Sequence, residues 1–229
     1  MKYICLSLIS RPDRQAHARE VFTRWGILDK VEWWIVEKHP IGGLHGCFES
    51  HWTIWSKHNE DIWVFEDDVD GEKLPDIPLQ KLISNFDPWI IFLAPRTFYT
   101  WGPTVEGFRE GAFATLTSYI VPGKHIKQLT DHVEPYFGIS IDLALLNVPM
   151  IGRKVLGYWD SNSDIIQGRR HLLALTSAED IFSKVPNLGK LIIDLMLYTR
   201  SNPLIYKKVG KLTDRRICLR LIENGSNGN

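Results

Sequence analysis

The chain has 229 residues, enough for one sizeable α/β domain with or without a small appendage and too few for two equal domains. Its 27 basic and 27 acidic residues cancel, so no global field favours nucleic acid or a membrane surface. No apolar stretch approaches the length of a membrane span, and the three cysteines, Cys5, Cys47 and Cys218, lack C-x-x-C spacing and read as reduced thiols of a cytoplasmic protein.

The run at 2–9 (KYICLSLI) predicts the first strand, broken by Ser10-Arg11-Pro12. It is too short for a signal core and meets Arg11-Pro12-Asp13-Arg14 where a cleavage site would need small residues. Asp13 is placed to N-cap a helix over 13–25, in which Ala18, Val21, Phe22 and Trp25 recur at helical spacing before Gly26 closes it. VEWWIV at 31–36 predicts a second strand that exits on Glu37. Strand, helix, strand is the opening of a nucleotide-binding α/β fold.

Residues 41–46 (IGGLHG) read as a flexible loop with neither the G-x-G-x-x-G nor the Walker pattern, which argues against a dinucleotide fingerprint and a P-loop. Phe48, Trp52 and Trp55 predict a helix over 47–57, with Ser50 and His51 near one edge of its apolar face. Read alone, His51 is an ordinary partly buried histidine.

The stretch at 61–71, DIWVFEDDVDG, organises the rest of the chain. Ile62, Trp63, Val64 and Phe65 form the short apolar run of a buried parallel strand, and Glu66, Asp67, Asp68 and Asp70 follow it. Ligands of open α/β sheets bind beyond the carboxyl ends of the strands, so the carboxylates fall where the fold makes its crevice. Crowded carboxylates raise one another's pKa unless a cation neutralises them. A bare D-x-D is usually a solvated turn; its place at the exit of an apolar strand argues instead for a divalent cation. Oxygen ligands select Mg²⁺, Mn²⁺ or Ca²⁺, and Mg²⁺ or Mn²⁺ takes one or two carboxylates plus phosphate oxygens, which points to a metal–diphosphate site.

Beyond it, a helix is predicted over 78–86, a buried strand over 89–94, and a long aromatic loop over 95–110 whose Phe98, Tyr99 and Trp101 suggest a binding lip. A single strand over 112–121 and a helix over 124–133 follow. Asp142 is expected at or near a helix N-terminus, where a carboxylate can be only a cap. Residues 148–151 and 155–158 read as late strands and 160–170 as a polar loop. Ser177-Ala178-Glu179-Asp180 resembles a capping box, followed by an apolar stripe of Leu188, Leu191, Ile192, Leu195 and Met196. Residues 200–220 carry seven Lys or Arg against Asp214 alone, a basic tail suited to packing on the body or to peripheral contact with an anionic membrane. Residues 223–229, rich in Gly, Ser and Asn, are expected to be disordered.

Three blocks in order carry a resemblance: Ser7-Leu8-Ile9-Ser10-Arg11-Pro12-Asp13-Arg14, Gly46-Cys47-Phe48-Glu49-Ser50-His51 with Ile54-Trp55, and Val64-Phe65-Glu66-Asp67-Asp68-Val69. They resemble the opening strand with R-x-D-R, the G-C-x-x-S-H helix and the E-D-D-V of glycosyltransferase family 25, the LPS-type and procollagen-type sugar transferases. A weaker fourth block, Ile141-Asp142 with Leu145, resembles a late D-x-x-L. Ser7 stands where an Asn is usual, and nothing after Gly152 has a counterpart. Compact transferases of this kind occur in large DNA viruses and bacteria, and a viral one would work in its host's cytoplasm.

The resemblance implies a GT-A fold, a mixed and mostly parallel central sheet flanked by helices, in one domain over 1–220. Residues 1–75 would be the nucleotide-sugar half, and 76–220 the acceptor half with C-terminal helices. It implies a UDP-sugar donor, a glycan, glycoprotein or glycolipid acceptor, no nucleic acid, and Mn²⁺ or Mg²⁺. Asp68 is the first candidate metal ligand. Asp70 is the second, because it lies on the same side of an extended chain. Glu66 and Asp67 would bind ribose or metal waters, and Arg14 would approach the diphosphate. Leu8, Ile9 and Ser10, with Glu37 nearby, would hold the base, and Ser50 would join the donor site. In an inverting hexosyl transfer Asp142 would take the acceptor proton, with His51 as the alternative acid–base group. The competing readings are a nucleotidyltransferase, which would need a basic Gly-rich triphosphate loop absent here, and a nucleotide-sugar-binding module without turnover.

Overall fold

Strand β1 (Lys2–Leu8), helix α1 (Pro12–Arg24), strand β2 (Val31–Val36), helix α2 (Gly43–Lys57) and strand β3 (Ile62–Glu66) follow one another in the expected alternation. The structure is a computed structural model that describes residues 1–138, 140–158 and 166–167, all within the unit Met1–Pro186. The capping box, the apolar stripe, the basic tail and the terminal segment lie outside the described residues.

β1 is the central partner, parallel to β2 on one side and to β3 on the other, so that Leu8 sits beside Val36 and Leu6 beside Glu66. Alternate residues of these strands face opposite layers. Cys5, Trp63 and Phe65 pack with Ala18, Val21 and Phe22 of α1, while Ile4, Leu6 and Val64 pack with Phe48, Ile54 and Trp55 of α2. A strand buried on both faces needs apolar residues at successive positions, which is why these segments read as unbroken apolar runs. α2 returns antiparallel to the strands, so its first turns lie at their carboxyl ends.

β4 (Val69–Asp70), α3 (Leu79–Phe86), β5 (Ile90–Phe92), β6 (Arg96–Val105), β7 (Phe108–Ala114) and β8 (Ser118–Val121) follow, then α4 (Gly123–Val133), α5 (Ile141–Leu145), β9 (Val155–Tyr158) and β10 (Ile166–Gln167). The main sheet has the order β2-β1-β3-β8-β5-β9-β7-β6, and β10 pairs only with β4. It is mixed: β5 and β9 are parallel, whereas β8 runs antiparallel to both β3 and β5, and β7 to both β6 and β9. Buried residues of α1 and α3 cover one face, and those of α2, α4 and α5 the other. The expected α/β class, a central sheet flanked by helices, is therefore present.

Several expectations are corrected. Asp13 does not cap α1; Arg11 holds its carboxylate with two hydrogen bonds of 2.9 and 2.7 Å, which brings its pKa down to about 2. α2 begins one turn early, at Gly43, inside the expected loop. The long aromatic loop is the β6–β7 hairpin, closed at Glu106-Gly107 with φ of 52° and 79°, the left-handed pair that a two-residue turn matching strand twist requires. The strand expected over 112–121 is two strands, because Thr115 at φ 73° breaks it between Ala114 and Ser118. The apolar run at 148–151 is a 3₁₀ turn at Pro149–Ile151, where proline suits the first helical position and cannot donate to a ladder.

Two stability predictions arise from the packing. A Cβ on Gly157, in the middle of β9, would lie 2.3 Å from the buried Phe113 ring. Gly157→Ala is expected to lower stability by about 1–3 kcal/mol in urea titrations, since a packed ring must move. Burial also lowers the pKa of His132 below its ordinary 6.5, with the ring against Trp89 and Tyr136. The unfolded chain then binds the proton more readily, so this contribution is complete above the unfolded value and is lost as pH falls through the folded one. His132→Asn should flatten the stability–pH curve between roughly pH 7 and 5, read from denaturation midpoints.

Candidate active site

The acidic stretch at the exit of β3 is a turn at Asp67–Asp68 and not extended chain. Asp67, only 5% exposed, accepts a 2.6 Å bond from the Ser7 hydroxyl at Oδ2 and a 3.1 Å bond from Arg14 Nη1 at Oδ1. A buried carboxylate is tolerable only with such partners. The same guanidinium lies 3.6 Å from Asp68 Oδ2, and the Asp68 side chain keeps 22% of its surface exposed.

Asp70 is held elsewhere. Its Oδ1 accepts from the Gly71 N–H at 2.8 Å and lies 3.5 Å from Arg24 Nη1. Arg14 and Arg24 stand at opposite ends of α1, roughly 15 Å apart along the helix axis at 1.5 Å per residue. Asp68 and Asp70 therefore do not project together as they would from a straight strand. Between them, His17 Nε2 lies 3.0 Å from the Val69 carbonyl, and Arg24 Nη1 and Trp25 Nε1 donate to that of Gly71. Helix α1 thus braces the segment from Asp67 to Gly71.

Glu66 faces the other helix. Its Oε1 lies 3.3 Å from Nε2 of His51, a residue with no exposed surface. His51 Nδ1 is 2.8 Å from the Tyr119 hydroxyl, to which Trp55 Nε1 donates at 3.0 Å. Burial pushes the pKa of Tyr119 well up, so its hydroxyl keeps its proton. Cys47, one helical turn before His51, is pushed up by burial and then by the charges of Glu66 and Asp142. Asp142, the second residue of α5, accepts a 2.8 Å bond at Oδ1 from the Thr115 N–H. The left-handed residue that splits the long strand thus supplies the donor that holds this carboxylate.

The remaining candidates lie at the ends of β1 and β2. The Leu8 carbonyl accepts from Gln15 Nε2 at 2.8 Å and the Arg11 N–H at 3.0 Å, and the Ile9 N–H donates to the Val36 carbonyl. Ile9 and Ser10 are exposed. A cavity of about 370 Å³ opens at the exit of β2, lined by Trp34, Val36, Glu37, His39, Glu49 and Ser50 among others. Ser50 Oγ donates to the Gly46 carbonyl at 2.6 Å.

The candidates thus fall into separate groups: Asp67, Asp68 and Arg14; Asp70 with Arg24; Glu66 and His51, with the charge of Asp142 acting on the same Cys47; Leu8, Ile9 and Ser10 at the end of β1; and Glu37 and Ser50 around the cavity. Sequence reasoning missed Ser7, Cys47, Thr115 and Tyr119. The four-residue spacing of Cys47 and His51 was a readable signal; the other three act through contacts with residues distant in sequence.

No protein family matches this chain, and no curated protein does. Among solved structures it is similar to the galactosyltransferase LgtC in complex with donor and acceptor sugar analogues, at 11% identity over 80% of this chain and 94% of that one, with a TM-score of 0.42. It is also similar to a glycosyltransferase involved in glycosylation of the major capsid of PBCV-1, at 10% identity over 80% of this chain and 100% of that one, TM-score 0.42. Apo-UDP-glucose pyrophosphorylase is similar at 14% identity over 69% of this chain and 73% of that one, TM-score 0.41.

Proposed function

We propose that the protein is a metal-dependent GT-A glycosyltransferase that moves a sugar, a hexose from a UDP donor, onto a hydroxyl of a glycan with inversion at the anomeric carbon. The observation that supports this most is the placement of a braced acidic turn at the exit of β3, an open cavity beside Glu37 at the exit of β2, and a separate carboxylate, Asp142, held by a backbone N–H.

Ser7 and Arg14 fix Asp67, so the turn that presents Asp68 is set before a ligand arrives. The donor set fits a hard cation. Asp68 offers carboxylate oxygens, whereas Asp70 would have to leave Arg24 and the Gly71 N–H to join it. Bound there, Mn²⁺ or Mg²⁺ would neutralise charge building on the diphosphate leaving group. Arg14, 40% exposed, adds a cation on the same side. The ends of β1 and β2, half-buried Leu8 with exposed Ile9, Ser10 and Glu37, form the nucleoside side, with Ser50 in the lining of the cavity. Asp142 takes the acceptor proton. His51 is fully buried between Tyr119 and Glu66, away from any acceptor, so it is not the acid–base group.

The test is to incubate the full chain with a panel of UDP-sugars, with and without Mn²⁺, and to follow UDP release. Slow Mn²⁺-dependent hydrolysis that acceptor glycans accelerate is expected. Formation of UTP on adding pyrophosphate, without UDP, would make the protein a nucleotidyltransferase, and donor binding with no turnover a binding module.

A metal-binding prediction belongs with this reading. Manganese should raise UDP affinity at least tenfold in titration calorimetry, and Asp68→Asn should remove that gain while leaving metal-free UDP binding within about twofold. Asp70→Asn should matter less, because Asp70 is engaged at the other end of α1.

A further inference from the structure

We infer that Cys47, His51 and Glu66 form a second metal site, distinct from the acidic turn, that binds a single zinc ion. Cys47 and His51 are four residues apart on α2, which puts them on one face of the helix a turn apart. Glu66 comes to them from the exit of β3. One ligand atom from each of the three lies within 4.8 Å of the others, and His51 Nε2 and Glu66 Oε1 are 3.3 Å apart. Ligands of a tetrahedral zinc stand about 3.5 Å apart, given bonds of 2.0 to 2.3 Å.

The surroundings match what such a site needs. A metal-bound histidine is oriented by a partner on its other nitrogen, and here the Tyr119 hydroxyl stands 2.8 Å from Nδ1 and is itself held by Trp55. The tautomer that donates from Nδ1 to the Tyr119 oxygen turns the Nε2 lone pair toward Glu66 and Cys47. His51 is buried, while Cys47 and Glu66 are half-buried, which leaves a way in for the ion. A thiol binds a metal as thiolate, so occupation of the site would release the proton from Sγ.

Thiolate and imidazole select zinc over Mn²⁺ or Mg²⁺, which separates this site from the all-oxygen set around Asp68. Three protein ligands leave a fourth position for water. The ion would tie the start of α2 to the end of β3 and fix Glu66 against the acidic turn. This inference does not depend on the sugar-transferase reading.

The test uses the full chain, stripped with a chelator and titrated with Co²⁺ and then Zn²⁺. One equivalent of Co²⁺ should produce a thiolate-to-cobalt charge-transfer band and tetrahedral d–d bands, and Zn²⁺ should displace it. Zn²⁺ should protect Cys47 from alkylation in the unmutated protein, mapped by mass spectrometry, so the result does not depend on a variant folding. Tyr119→Phe should weaken Zn²⁺ binding about 10–100-fold, as loss of an outer partner does, and Cys47→Ser should weaken it further. Cys218→Ser should leave the spectrum unchanged. Absence of a thiolate band, or alkylation of Cys47 at the same rate with and without Zn²⁺, overturns the site whatever the outcome with UDP and manganese.

Discussion

Asp142→Asn is expected to lower kcat for sugar transfer by about 10²–10⁴, the usual worth of a general base, with the donor KM changed less than threefold. The asparagine carbonyl can accept the same bond from the Thr115 N–H that Asp142 Oδ1 accepts at 2.8 Å, so α5 and the turn at Thr115 keep their geometry. The substitution removes the charge and the ability to accept a proton while keeping the size of the side chain. Initial rates with saturating donor and varied acceptor measure the effect, and circular dichroism confirms the fold. Metal-dependent donor binding should survive, because Asp142 belongs to a different element from the acidic turn. A variant that keeps more than about a tenth of the wild-type kcat would rule out Asp142 as the base.

The largest effect on stability is expected at Trp55. Trp55→Ala should cost about 3–5 kcal/mol, a substantial part of the 5–15 kcal/mol that holds a typical domain together. The side chain has no exposed surface, and its indole stands edge-on to Tyr119 at 6.1 Å between ring centroids. Its N–H also donates to the Tyr119 hydroxyl. Removal leaves a cavity between α2 and β8 and takes a donor from a fully buried oxygen, two penalties that add. Thermal melts should fall by roughly 6–20 °C, at 2–4 °C per kcal/mol for a chain of this size. Trp55→Phe keeps most of the volume and separates the two terms, with about 1–3 kcal/mol expected from the lost bond and residual void. A loss below 1 kcal/mol for Trp55→Ala would show that Tyr119 and His51 are not anchored through it.

The stretch from β1 to β3 was legible because its information is local. Strands buried on both faces appear as apolar runs, so β1, β2 and β3 were readable to within a residue, and α1 showed its core face as a 3.6-residue repeat. The β6–β7 hairpin was hidden because Glu106-Gly107 is an uncommon turn pair within a run already rich in aromatic residues. The break at Thr115 was hidden for the opposite reason: a β-branched residue is a poor signal for positive φ, and the contacts that hold it, to Asp142 and to the Ala94 carbonyl, join residues distant in sequence.

By itself the sequence determined that an acidic segment follows a buried strand, that a helix carries Cys47 and His51 one turn apart, and that both belong to an α/β sheet. Only the tertiary structure decided how the carboxylates divide: Asp67 and Asp68 toward Arg14, Asp70 toward Arg24, and Glu66 toward His51. Periodicity and strand exits are set by neighbours a few residues away. The partners of a carboxylate are set by which helix packs on which face of the sheet, and those contacts join residues 15 to 60 positions apart in the chain.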